Sequence, residues 1–113
     1  MYPALFALIH AIFIKIVFMP AYIVVDIKIH NADLYEEYKK LTPATLEAYG
    51  GRFVVRGGTT EILEGEWQPN RIVVLEFSSM EQAKKWWASP EYSPAKEIRQ
   101  AASHTNMILV DGF

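Results

Sequence analysis

The chain has 113 residues, 51% of them hydrophobic and 21% charged, and a formal net charge of −2. That is the size of one ordinary domain and too apolar for a disordered segment; a weakly acidic chain whose basic residues come as scattered pairs, Lys39–Lys40 and Lys84–Lys85, is no partner for a nucleic-acid polyanion. Cysteine is absent, which removes disulfides, thiolate metal sites and cysteine nucleophiles.

Residues 1–18 form an almost wholly apolar leader interrupted by Pro3, His10 and Lys15. A secretory signal places basic residues before its apolar run and a small-x-small site after it, and neither is present here. A membrane span needs about 20 apolar residues, and Lys15 interrupts this one. Three readings stand: an upstream start ahead of a true Met19, a membrane-associated segment, or an extra packing element such as a dimer arm. Membrane association is expected only if residues 1–18 are native. Residues 19–113 are expected to be one domain.

From Ala21 the periodicity alternates between two kinds. Tyr22–Ile29 is β-branched with period two, carrying Ile23, Val25, Ile27 and Ile29 on one side and Tyr22, Val24, Asp26 and Lys28 on the other. Asp33 reads as an N-cap with Glu36 as its capping-box partner, opening a helix with an apolar stripe of Leu34, Tyr38 and Leu41. Pro43 is expected to kink or restart that helix, with Thr42 as a second cap, and Gly50–Gly51 ends it. Arg52–Arg56 reads as a strand, Thr60–Glu66 as its extension or a third strand, and Gly57–Gly58 between them as a hairpin turn or a bulge. Arg71–Phe77 is another strand. Ser79, with Gln82, caps a helix using Ala83, Trp86 and Trp87; a second helical stretch turns Ala95, Ile98 and Ala102 inward, and Met107–Val110 is the last strand.

The order is β-α-β-β-α-β, the ferredoxin-like α+β arrangement: an antiparallel sheet with its helices on one face and the other face uncovered. Turning each strand's more apolar side to the helices sends Phe53, Val55, Val73, Leu75 and Phe77 inward with the Ile23 set. The other side then collects Asp26, Arg56 and Glu76 among valines and Tyr22. Such a face is too apolar to be left in water, so a twofold homodimer is expected, its two sheets packing face to face or curving into a shared barrel. Enclosed there, Asp26 and Glu76 are the catalytic candidates for proton transfer, and Arg56 the substrate-binding candidate that holds an anion. The structural alternative is that these charges are solvated or fix register as cross-strand pairs.

His30 ends the first strand and is either a rim contact or a solvated end. For Trp67, rim packing and a lid contact are equal readings, and His30 and Trp67 stand with Arg56 as the substrate-binding candidates. No histidine pair has metal spacing and no serine, histidine and acid suggest a triad, so no metal or cofactor is expected.

Met19-Pro-Ala-Tyr22, Gly50-Gly-Arg-Phe-Val-Val-Arg-Gly-Gly58, Leu63-Glu-Gly-Glu-Trp67, Arg71-Ile-Val-Val-Leu-Glu-Phe77 and Ser89-Pro-Glu-Tyr92 resemble the bacterial family catalogued as domain of unknown function 1330, in order and from Met19 to Phe113. The resemblance implies a ferredoxin-like fold of the dimeric α+β barrel group and supplies no reaction. Relatives in that wider group include cofactor-independent monooxygenases, dehalogenating and isomerising enzymes and haem binders, a fold-level analogy only. The expected protein is a cytoplasmic homodimer binding a small anionic or aromatic molecule in or beside the barrel, either an acid/base enzyme or a non-catalytic binding or stress-related dimer.

Overall fold

The computed structural model describes residues 19–113, so the apolar leader and its three readings lie outside the described residues. The elements are β1 (Ala21–Ile29), α1 (Ala32–Ala48), β2 (Arg52–Arg56), β3 (Arg71–Phe77), α2 (Met80–Trp87), α3 (Ser93–Ala102) and β4 (Ser103–Asp111). The sheet order is β2-β3-β1-β4 with every neighbouring pair antiparallel. This is the ferredoxin-like α+β fold expected from the alternation of periods.

Period-two patterning puts Ile23, Val25 and Ile27 of β1 and Val73, Leu75 and Phe77 of β3 on the helix-covered side, all buried. They meet Tyr35, Tyr38 and Leu46 of α1, Ala83 and Trp86 of α2, and Ala95 and Ala102 of α3. Burial of each large side chain contributes about 1.5–3 kcal/mol, and Trp86, wholly buried, is the largest. Its ring stacks on Tyr92 with centroids 3.9 Å apart, and its indole N–H donates to Thr45 Oγ1 at 3.0 Å. The Ser89–Tyr92 turn makes that stack: Ser89 Oγ donates to the Trp86 carbonyl at 2.7 Å and accepts from the Tyr92 N–H at 3.1 Å.

Ser79 caps α2 as its sequence indicates, accepting from the Gln82 N–H at 3.1 Å, while the Gln82 side chain crosses to the Tyr49 carbonyl. The cap of α1 is Asn31, not Asp33: Asn31 Oδ1 accepts from the Leu34 N–H at 3.1 Å, and the His30 and Asn31 amides both donate to the Ala102 carbonyl, fixing the turn two residues early. Nor does Pro43 break the helix, since α1 runs unbroken from Ala32 to Ala48. Proline removes the amide that would bond the carbonyl four residues back, Lys39, and that carbonyl instead accepts from Arg56 Nη2 at 3.2 Å. Thr60–Glu66 forms no strand; Gly57, at φ +70°, ends β2, and the chain leaves the sheet as an irregular arm before returning as β3. The last strand is longer than its apolar run, beginning at Ser103.

Gly51 follows α1 where any side chain would enter the core: an added Cβ would lie 2.5 Å from Phe77 Cε1 and 3.1 Å from Leu46 Cδ2. Gly51→Ala is expected to lower unfolding free energy by about 1–3 kcal/mol, read as a lower midpoint in urea with an unchanged slope. A midpoint equal to that of the parent protein would show that Phe77 yields freely.

Candidate functional site

The two carboxylates of the open face are on one side of the sheet but not together. Asp26 pairs in register with Ile72, and Glu76 lies four residues further along β3 beside Tyr22, which separates them by roughly 13 Å at about 3.3 Å per residue. That exceeds the screening length of about 8 Å at physiological salt. Asp26 takes both its bonds from the arm, accepting from the Trp67 indole N–H at 3.1 Å and the Asn70 amide at 2.9 Å. Glu76 accepts from Arg52 Nε at 2.8 Å and from the Tyr22 hydroxyl at 2.9 Å. The Arg52 bond first and the Tyr22 bond second hold the Glu76 carboxyl below its ordinary range, while the bond to Glu76 raises Tyr22.

Arg56 is elsewhere. Strand β2 pairs Arg52 with Glu76 and Phe53 with Leu75, then slips, so that Val55 faces Val74 and Arg56 faces Val73. The extra residue, Val54, is a bulge, and it moves every later side chain of β2 to the opposite face. Val55 therefore joins the open face and Arg56 the helix-covered one, correcting the expected grouping of Arg56 with Asp26 and Glu76. There its guanidinium lies 4.3 Å over the Phe53 ring and reaches the Lys39 carbonyl of α1.

On that covered side a tight cavity of about 20 Å³ opens between the sheet and the helices. Its apolar walls include Val25, Ile27, Val73, Leu75 and Met107, and its polar groups are Tyr35, Tyr38, Thr42, Lys39, Arg56, Arg71 and Arg99, with no Asp or Glu among the described lining residues. Tyr38 and Tyr92 share a hydrogen bond of 2.8 Å, and Arg99 Nε donates to the Tyr92 hydroxyl at 3.3 Å. Burial raises Tyr38 well above an ordinary phenol and raises Tyr35 too, against the lowering effect of the Arg71 guanidinium that hydrogen-bonds it, so both hydroxyls stay neutral.

His30 is exposed at the end of β1, away from this cavity. Trp67, 65% exposed, flanks two open grooves, one of about 150 Å³ against Asp26, Ile72 and Ile108 and one of about 540 Å³ beneath Ile62 and Leu63 of the arm. Among the described residues no three His, Asp or Glu side chains gather as a metal site requires. The cavity residues Arg71, Arg99 and Tyr35 escaped the reading of strand charges. For Arg99 a signal existed: it falls at i+4 of the Ala95, Ile98, Ala102 stripe, and it is 4% exposed.

Residues 20–113 match the family described as Domain of unknown function (DUF1330). No curated protein matches the chain. Among solved structures, the RPA0582 protein of unknown function from Rhodopseudomonas palustris is similar at 19% identity and a TM-score of 0.71, covering 84% of this chain and 83% of that one. SnoaB from Streptomyces nogalater, a cofactor-independent oxygenase, is similar at 18% identity and a TM-score of 0.58, covering 80% and 90%. At such identities the likeness is one of fold.

Two outcomes test the open-face geometry. Asp26→Ala should raise deuterium uptake through residues 58–70 and cost about 1 kcal/mol, the worth of exposed hydrogen bonds; unchanged uptake would mean that the arm holds itself. Because the folded-state pKa of Glu76 lies below its ordinary 4.5, the stability it adds is present above pH 4.5 and is lost as pH falls through the lowered value. With Arg52 66% exposed, Glu76→Gln should cost only about 0.5–1 kcal/mol at neutral pH, a difference that vanishes in acid melts.

Proposed function

The chain belongs to the DUF1330 family, and from that footing we propose that it is a homodimeric small-molecule-binding protein whose ligand occupies the helix-side cavity. The supporting observation is the convergence there, and not on the open face, of apolar walls, neutral tyrosine hydroxyls and cationic groups without a carboxylate. A few polar groups set among apolar walls orient a ligand better than charges spread over a solvated sheet. The cavity is small as it stands, since about 10–15 Å³ already accommodates a water. A ligand of any length must therefore extend between α1 and β2, past Lys39 and Arg56, whose outer ends reach solvent. The use of this fold by SnoaB for cofactor-independent oxygenation supports a ligand cavity by analogy.

The geometry favours binding over acid/base catalysis by the strand carboxylates. Asp26 is occupied by Trp67 and Asn70, and Glu76 is kept ionised by Arg52 and Tyr22, so both carboxylates are committed to neighbours within the fold. Arg56 serves α1 first, and its anion-binding role is at most shared with that duty. Trp67 and His30 lie outside the cavity, so we assign Trp67 to holding the arm and give His30 no ligand contact.

The open face supports the dimer. Val24, Ile72 and Val74 run across its centre, and Val54, Ile108 and Val110 are 46%, 63% and 44% exposed at its sides, a continuous apolar surface of the kind that a second copy buries. Among the described residues no helix is long and apolar enough to cross a membrane.

Light scattering should find a dimer, and Val74→Lys should give a monomer with the parent's circular dichroism; a monomeric parent protein would remove the dimer. For the cavity, a melting screen of small organic compounds should find stabilisers whose effect is lost in Val73→Phe, where the new ring fills the space. Stabilisers unaffected by that substitution would place the ligand elsewhere.

A further inference from the structure

We propose that the helix-side cavity is an anion receptor and that its ligand is a small carboxylate gripped by Arg71 and Arg99. The proposal rests on the cavity reading above and adds the chemical class of what binds.

The four cations around the cavity are not equivalent. Lys39 is paired with Glu36 at 3.0 Å and the Arg56 guanidinium bonds the Lys39 carbonyl, so both have partners within the protein. Arg99 is 4% exposed, yet among the described residues its one hydrogen bond is to a neutral acceptor, the Tyr92 hydroxyl at 3.3 Å. Arg71 Nε is shut off from solvent with no partner among the described residues. Its guanidinium lies 5.8 Å over the Tyr35 ring and against Gly57, where an added Cβ would overlap Nη1. Gly57 at φ +70° thus both ends β2 and leaves the space in which that guanidinium lies.

Arg99 is buried and Arg71 half-buried with the neutral Tyr35 hydroxyl as its hydrogen-bond partner, and neither guanidinium meets a carboxylate among the described lining residues. A lysine or histidine in that position could shed its proton, whereas a guanidinium cannot. Burying a charge unpaired is costly, and a ring face at nearly 6 Å returns only a fraction of it. What compensates such a pair is a planar oxyanion matching the guanidinium fork. Size narrows the oxyanions: a cavity of about 20 Å³ takes little more than a water as it stands, which favours the smaller, flat carboxylate head over a tetrahedral phosphate. Val25, Ile27, Val73, Leu75 and Met107 beside it suit hydrocarbon, not sugar or water. The neutral hydroxyls of Tyr35 and Tyr38 add donors suited to a carboxylate oxygen.

The test titrates the full chain with acetate and benzoate, against acetamide and benzamide as uncharged counterparts and sodium chloride at equal ionic strength. It follows melting temperature and the side-chain Nε–Hε resonances of Arg71 and Arg99. The carboxylates should raise the melting temperature and shift both resonances, the amides and chloride should not, and Arg71→Met and Arg99→Met should each weaken carboxylate binding at least tenfold. Arg99→Met, freed of a buried charge without a counter-charge, should melt without ligand no lower than the parent. Because the resonances are read on the unsubstituted protein, the result does not depend on either variant folding. Amides binding as well as acids would overturn the receptor and leave the cavity reading intact. Chloride matching the carboxylates, or unmoved arginine resonances, would also overturn it. If neither acids nor amides bind, and the wider melting screen finds no stabiliser sensitive to Val73→Phe, both readings fall.

Discussion

One inserted residue in an edge strand decides how this molecule is put together. A strand alternates its side chains between two faces, and an unpaired Val54 in β2 reverses that alternation midway, sending Arg52 to the open face and Arg56 to the covered one. From the covered face Arg56 reaches the Lys39 carbonyl, the acceptor that Pro43 leaves without its helical amide. The bond is solvent-exposed and contributes about 0.5–1.5 kcal/mol, and α1 carries on for its full 17 residues. The continuity of α1 in turn lays Tyr35, Tyr38 and Thr42 along the sheet and so defines one wall of the cavity.

The result is a sheet whose two sides differ in charge as well as in burial. The open side carries carboxylates, Asp26 and Glu76, each consumed by neighbours that hold the arm or the strand register in place. The covered side carries guanidinium groups, two of which lack any comparable partner among the described residues. Charge that is neutralised within the fold serves the fold, whereas a buried guanidinium without a counter-charge is a candidate for recognition.

Much of the architecture was legible in the alternation of periods. The Ile23–Ile27 and Val73–Phe77 sets were assigned inward and are buried, and Ser79 and Gly50 mark helix ends by side-chain cap and positive φ. The bulge was not legible because Arg-Phe-Val-Val-Arg is apolar at both of its central valines, so either register satisfies the pattern. The cap of α1 was misplaced because Asn31 and Asp33 are equally good oxygen acceptors, and the choice falls to a long-range contact, the Ala102 carbonyl, that local sequence cannot show. The cavity was missed for a related reason. An arginine counts as a surface residue unless its position on a helical stripe is taken seriously, and Arg99 occupied such a position between Ala95 and Ala102.

The contact between Arg56 and the helix has an evolutionary side. Pro43 and Arg56 stand thirteen positions apart on different elements, and one answers the other: the proline opens an acceptor and the arginine closes it. A descendant that lost the proline would regain its own helical bond and release the arginine to drift. One that lost the arginine first would carry the orphaned carbonyl until the proline was replaced. The two positions should therefore change in a fixed order through the family's history, proline before arginine on the way out and arginine before proline on the way in.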